Sequence, residues 1–142
     1  MTSSDPGQVD ALRLAVIRLE RKLRKSAGSG EVTPSQYSAL YALGRHGPFR
    51  LSELGRREQI GKSTVTRLVA TLEAKGLVSR DVDDVDARSS IVAVTEAGRA
   101  LLAQFAERSN DYLRLRVDAL EPADQDRLFD AVGVLAELGA PR

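Results

Sequence analysis

Apolar residues recur at alternating steps of three and four over the first stretch of the chain: Val9, Leu12, Val16, Leu19 and Leu23. That spacing lays them in one seam along a helix. It predicts a helix from about Asp5 to Ala27, with Asp5 as N-cap and Pro6 in the first turn. "SAGSGEV" breaks the pattern. "TPSQYSALYALGRHG" predicts a second helix, with Thr33 and Gln36 forming a capping box, Pro34 in the first turn, and Leu40 and Leu43 buried. Gly47-Pro48 ends it. A short third helix is predicted in "LSELGRRE", with Leu51, Leu54 and Ile60 inward and Gly55 admitting another helix closely. The fourth, "GKSTVTRLVATLEAKG", lines Val65, Leu68, Val69 and Leu72 along one stripe. Gly76 in a left-handed C-cap, with Leu77 folding back, predicts a Schellman-type ending.

The period then changes. Leu77 and Val78, and later Ile91, Val92 and Val94, are β-prone and flank an Asp-rich centre, which predicts a hairpin with a long polar tip. Thr95 is placed to cap a long helix through about Ala119, with Leu101, Leu102, Phe105 and Tyr112 inward. "EPADQDRL" starts a last helix with Pro122 in its first turn, and Leu128, Val132, Leu135 and Leu138 form a second seam. Periodicity alone leaves two readings of the seams: they pack on each other within one chain, or they meet in a dimer.

Helix, brief turn, helix and hairpin is the layout of a winged helix-turn-helix. The fold class is therefore mainly α with a small β-wing. Opposite its apolar stripe, the fourth helix carries Ser63, Arg67, Ala70 and Ala74, flanked by Thr66, Thr71 and Thr64. Solvated faces usually carry Glu and Lys at spacing four, yet this face has no acid between Lys62 and Glu73. Small side chains let a helix backbone approach the floor of a major groove. Hydroxyls serve base edges or phosphates, and an arginine can bind guanine in bidentate fashion. Lys62 adds charge at a helix N-terminus, where backbone N–H groups already favour phosphate.

Composition bounds the rest. The chain of 142 residues has no cysteine, a single histidine (His46) and a formal net charge of +1. Thiol chemistry and zinc-thiolate sites are excluded, and no metal or cofactor is expected. Any DNA-binding charge must be concentrated locally. No apolar run approaches the roughly 18–20 residues of a membrane span, and "MTSSDPGQVD" has no signal-peptide character, so the expected location is cytoplasmic, with no membrane partner. "GKST" is not a Walker A ending, because that motif needs a glycine where this chain has Arg56. The aspartates of "RDVDDVDARSS" lack the glycine and glutamate of a calcium loop. By composition that tip is a solvated acidic loop in which only Arg80 and Arg88 oppose Asp81, Asp83, Asp84 and Asp86.

From about Val9 to Leu138 the chain resembles the MarR family of bacterial transcriptional regulators. "VTPSQYSALYALGRHGP" is similar to the family's second helix, "STVTRLVATLEAKGLVSR" to its recognition helix and wing entry, and "DARSSIVAVTEAG" to its wing return and fifth helix. The resemblance implies one domain over 1–142: dimerisation helices in 5–32 and 96–142 around a DNA-binding lobe in 33–95. It favours dimerisation through Val9, Leu12, Val16, Leu19, Leu128, Val132 and Leu135. It implies double-stranded DNA as partner and a DNA-binding set of Lys62, Ser63, Thr64, Thr66, Arg67, Thr71, Arg80, Asp86, Arg88 and Ser89, in which Asp86 orients Arg88 into the minor groove. The implied function is a ligand-responsive repressor binding a pseudo-palindromic operator as a homodimer, without catalytic residues.

Three positions depart from the family pattern. Ala87 stands where a basic residue is common. Glu58-Gln59 replaces an apolar residue followed by glycine, putting the turn geometry in question. Arg50 replaces the Ser or Thr cap of the third helix, so an irregular start is expected there. Arg50, Arg56 and Arg57 are read either as phosphate contacts or as solvated charges. The family's effector is a small ligand, often aromatic or phenolic. Tyr37, Tyr41, His46, Phe49 and Tyr112 are the polar-aromatic candidates for its site, although packing accounts for each of them, so the ligand residues stay unknown. The rival readings are an enzyme, which lacks a nucleophile–base pair, and a winged helix that binds protein instead of DNA, which the acidic wing favours.

Overall fold

The computed structural model describes residues 2–28, 31–86 and 88–140. In chain order the elements are α1 (Pro6–Ser26), α2 (Pro34–His46), β1 (Phe49–Arg50), α3 (Leu51–Arg57), α4 (Lys62–Ala74), β2 (Val78–Val82), β3 (Ser90–Val94), α5 (Glu96–Asp118), α6 (Pro122–Asp130) and α7 (Val132–Gly139). They form two compact units. One runs from Ala27 to Glu107; the other takes the residues before and after it.

The central unit is built on α2, α3, α4 and a three-stranded antiparallel sheet of order β1-β3-β2. Phe49 pairs with Val92, and Val78 through Val82 pair with Val94 through Ser90. The predicted stripes converge: Leu40, Leu43, Leu54, Val65, Val69, Leu72 and Val92 are fully enclosed. Their burial is the main apolar gain holding the unit together. The capping box of α2 closes as predicted: Gln36 N donates to Thr33 Oγ1 (3.2 Å) and Thr33 N to Gln36 Oε1 (3.0 Å).

Two helix endings have the same Schellman geometry. At the end of α4, Gly76 has φ +75°, Leu77 N donates to Leu72 O (3.0 Å), and Gly76 N donates to Glu73 O (2.9 Å). At the end of α3, Ile60 N donates to Gly55 O (2.9 Å), Gln59 N donates to Arg56 O (3.1 Å), and the left-handed residue is Gln59, φ +57°. The turn survives without glycine, and Glu58 anchors it by accepting a 2.7 Å hydrogen bond from Ser38 Oγ of α2.

The start of α3 differs from the irregular one expected. Arg50 is extended, and its backbone N–H donates to Glu53 Oε1 (3.1 Å), so Glu53 closes an end that lacks a Ser or Thr cap. The two-residue strand β1 is also new, being too short to leave a period in the sequence.

In the other unit, Asp5 caps α1 as predicted, accepting from Gln8 N at 3.2 Å. Ser109 Oγ donates to Leu23 O at 3.0 Å. The predicted last helix is interrupted at Ala131, giving α6 and α7. No residue of α1, α6 or α7 is buried. Val9, Leu12, Val16, Leu19, Val132 and Leu135 stand exposed, and Leu128 is half-buried.

Candidate nucleic-acid interface

The interface begins where α4 does. Its N-cap is Gly61, which offers no side chain, so no side chain caps the first-turn N–H groups. Those groups and the helix dipole favour an anion there. Lys62, Ser63, Thr64, Thr66, Arg67, Ala70, Thr71 and Ala74 are all exposed, while Val65, Val69 and Leu72 anchor the opposite face. The hydroxyls are not equivalent. Thr66 Oγ1 donates to Lys62 O (2.7 Å) and Thr71 Oγ1 to Arg67 O (3.0 Å). These two threonines spend their hydrogens on the helix and present acceptor lone pairs outward. An acceptor on this face suits the exocyclic amines of adenine or cytosine. Arg67 is the one guanidinium on this face.

The other sequence-predicted contacts lie on the wing of the same unit. Arg80 reaches back to α4, its Nη2 3.5 Å from Glu73 Oε1. Asp86 Oδ1 accepts from Arg88 N at 3.0 Å and lies 3.6 Å from Arg88 Nε, while Ser89 N donates to Asp86 O at 2.9 Å. The Arg88 side chain is 95 % exposed, tethered at its base and free at its tip. Ala87 lies outside the described residues.

The wing tip is not simply the solvated acidic loop that its composition suggests. Asp83 is buried, at 6 % exposure. Its Oδ1 accepts from Val85 N (2.9 Å), its N–H donates to Ser89 O (3.1 Å), and Arg50 Nε lies 2.8 Å from its Oδ2. That last contact is an ion pair without hydrogen-bond alignment. Arg50 is thus neither a free charge nor an unengaged phosphate contact. Arg57 is also engaged, lying 5.4 Å over the Phe49 ring. Arg56 is exposed.

Asp83, Glu53 and Glu58 are the structural residues that the sequence reading did not assign. Only Glu53 had a local signal, three residues after the N-cap position. The Arg50–Asp83 pair joins positions 33 residues apart, for which a single sequence carries no sign.

Among the aromatic candidates for a ligand site, Tyr37 packs on its neighbours, while Tyr41 and His46 stand exposed. Tyr37 lies 6.2 Å from Tyr41 and 5.4 Å from Phe105, ring centre to ring centre. Burial, and then the neighbouring Tyr41, push its phenol above the ordinary range. An open cavity of about 250 Å³ lies elsewhere, lined by Pro34, Ser35, Ser38, Glu58, Ile60 and Leu68, without any of these aromatics.

Comparison with known proteins meets this geometry. Residues 32–90 match the model of the MarR family. An HTH-type transcriptional regulator of Mycobacterium bovis is 33 % identical over 138 residues, covering 97 % of this chain and 96 % of that one. The HTH-type transcriptional repressor NicR of Pseudomonas putida is 35 % identical over 114 residues, covering 80 % and 72 % respectively. Among solved structures, the transcriptional regulator Tm0710 of Thermotoga maritima superposes with a TM-score of 0.80 at 26 % identity, over 94 % of each chain.

Proposed function

The chain belongs to the MarR family, and from that premise we propose that this transcriptional regulator is a repressor, acting in the cytoplasm as a homodimer on a pseudo-palindromic operator. One observation carries the reading: α4 exposes a face of small and hydroxylated side chains around Arg67, beginning at a helix N-terminus with no side-chain cap. That is what a helix needs in order to lie on base edges with phosphate at its end.

In this reading Lys62, Ser63 and Thr64 hold phosphate or the first base edges, and Thr66, Arg67 and Thr71 read the major groove. Arg88 enters the minor groove, based on Asp86, with Arg80 and Ser89 supporting the wing. The seams on α1, α6 and α7 pair with those of a second copy and space two α4 helices about one turn of DNA apart. The effector is a small aromatic or phenolic molecule that shifts the population away from the binding-competent dimer. The name of the relative NicR, a repressor, supports the negative sign of regulation. The Arg50–Asp83 pair removes part of the case for a protein-binding wing, because the tip carries less free negative charge than its composition implies.

The test is binding of the purified chain to duplexes selected from a random-sequence pool, repeated across salt. With 6–10 phosphate contacts, affinity is expected to fall about 10³–10⁵-fold between about 50 and 200 mM salt. Failure to enrich any duplex, or binding indifferent to salt, defeats the proposal.

A further inference from the structure

We propose that Arg50 is a positioning residue for the wing: through Asp83 it fixes the base from which Arg88 reaches DNA, and it is not itself a phosphate contact. The inference rests on reading Arg88 as a DNA contact and adds a residue from outside the wing to that site.

The connection is continuous. Arg50 sits in β1, and its backbone N–H is held by Glu53 at the start of α3. Its Nε faces Asp83 Oδ2 at 2.8 Å. Asp83 holds the tip from inside, accepting from Val85 N and donating through its own N–H to Ser89 O. Ser89 N in turn donates to Asp86 O, and Asp86 Oδ1 accepts from Arg88 N. Five residues thus link the first turn of the helix-turn-helix to the base of the exposed arginine.

The energetics make Arg50 the sensitive member. A buried carboxylate deprived of its counter-charge is costly and turns toward water. To do that Asp83 must release Val85 N from its Oδ1, which loosens the turn that its own backbone N–H closes on Ser89 O. Arg88, nearly all of it in solvent, is held among the described residues by Asp86 alone, so a loosened tip spreads its guanidinium over many positions. Binding must then supply the ordering that the free protein lacks. The Arg50 side chain is itself about half exposed, so its replacement leaves the core of the lobe intact.

The test uses the full chain and a duplex selected from a random-sequence pool, with Arg50→Ala, Asp83→Asn, Arg88→Ala and the double Arg50→Ala/Arg88→Ala. Asp83→Asn removes the charge but keeps an oxygen for Val85 N. Amide exchange on the free proteins reads the tip without DNA. Faster exchange at Val85 and Asp83 is expected in Arg50→Ala, and less acceleration in Asp83→Asn, whose neutral amide needs no counter-charge, with α2 and α4 unchanged; unchanged exchange in Arg50→Ala overturns the inference.

On DNA, Arg50→Ala is expected to weaken binding about 5-fold alone and less than about 2-fold when Arg88 is already alanine. The slope of log affinity against log salt should stay that of the parent. Additive losses, with the slope reduced by about one, would make Arg50 a phosphate contact and overturn the inference. An effect of Arg88→Ala with none of Arg50→Ala overturns it alone. No effect of Arg88→Ala overturns both the inference and the wing assignment, while a parent that binds no duplex overturns the whole proposed function with it.

Discussion

The hydroxyl of Thr95 joins Gly76 to the start of α5. It donates to the Gly76 carbonyl at 2.7 Å, where α4 has just ended, and accepts from Gly98 N at 3.1 Å, where α5 begins. Thr95 N also donates to Leu77 O at 3.0 Å. One side chain therefore caps the long helix and ties it to the end of α4. Thr95→Val keeps the shape and removes both hydrogen bonds. The expected loss is about 0.5–2 kcal/mol, the range for a lost N-cap, while Thr95→Ser should keep most of the stability. Urea unfolding of the two variants checks this; equal stability of Thr95→Val and the parent would remove the joint role.

Gly98, three residues on, has no room for a methyl group. A Cβ there would collide with the Leu77 carbonyl and stand 2.6 Å from Val94 Cγ2. Helix propensity favours alanine by about 1 kcal/mol, but overpacking against backbone costs about 1–3 kcal/mol. Gly98→Ala should therefore lower the urea midpoint. A raised midpoint would mean that α5 shifts freely on the sheet.

Gln59 poses the opposite case. It holds φ +57°, a conformation that costs a side-chain-bearing residue about 1–2 kcal/mol. Gln59→Gly removes that cost but frees the unfolded chain, leaving an expected net gain of about 0.5–1 kcal/mol. Gln59→Val, β-branched, should destabilise. Thermal melts of the pair decide it: a glycine variant less stable than the parent would show that the Gln59 side chain makes a compensating contribution.

These three positions mark what was legible in the sequence. Period and caps were local, so α2, α4, the Schellman end at Gly76, the Thr95 cap and the core of Leu40, Leu43, Val65 and Leu72 could be read directly. The α4 face was legible because a helix carries its own phase. The hydrogen-bond state of Thr66 and Thr71 was not, since a hydroxyl turned onto its own helix has the same sequence as one turned to solvent. The wing hid most. Asp83, Asp84 and Asp86 look alike in the chain, and only the arrival of Arg50 from β1 separates the buried one from its neighbours. The break at Ala131 also left no mark, because the three-four seam continues through it.

Arg67 separates readout from mere attraction. It is the guanidinium on the small-residue face of α4, beside the acceptors of Thr66 and Thr71 and the methyl of Ala70. Arg67→Ala should cost about 1–3 kcal/mol on a selected duplex and relax base preference at one position in each half-site. Competition with duplexes singly substituted along the site measures this. Equal weakening on every duplex, with a shallower salt dependence, would move Arg67 to the phosphates.

The seams carry the remaining prediction, and its first part needs no DNA. Val9, Leu12, Val16 and Leu19 on α1, and Val132 and Leu135 on α7, stand exposed in the chain. Burying such a side chain from full exposure is worth about 1.5–3 kcal/mol; these are already about half covered, so each gains roughly half of that, set against the cost of association. The parent chain is expected to sediment at twice its chain mass at micromolar concentration. Val16→Glu or Leu135→Glu, each placing a charge in the seam, should shift it to the monomer while the folded signal of the central lobe persists. Half-site spacing follows from the same contact: a monomer still presents α4 but cannot place two copies on one face of the duplex. Binding to a two-half-site duplex should then drop to that of a single half-site. A parent chain that sediments as a monomer, yet protects both half-sites together, would break the link between these seams and operator recognition.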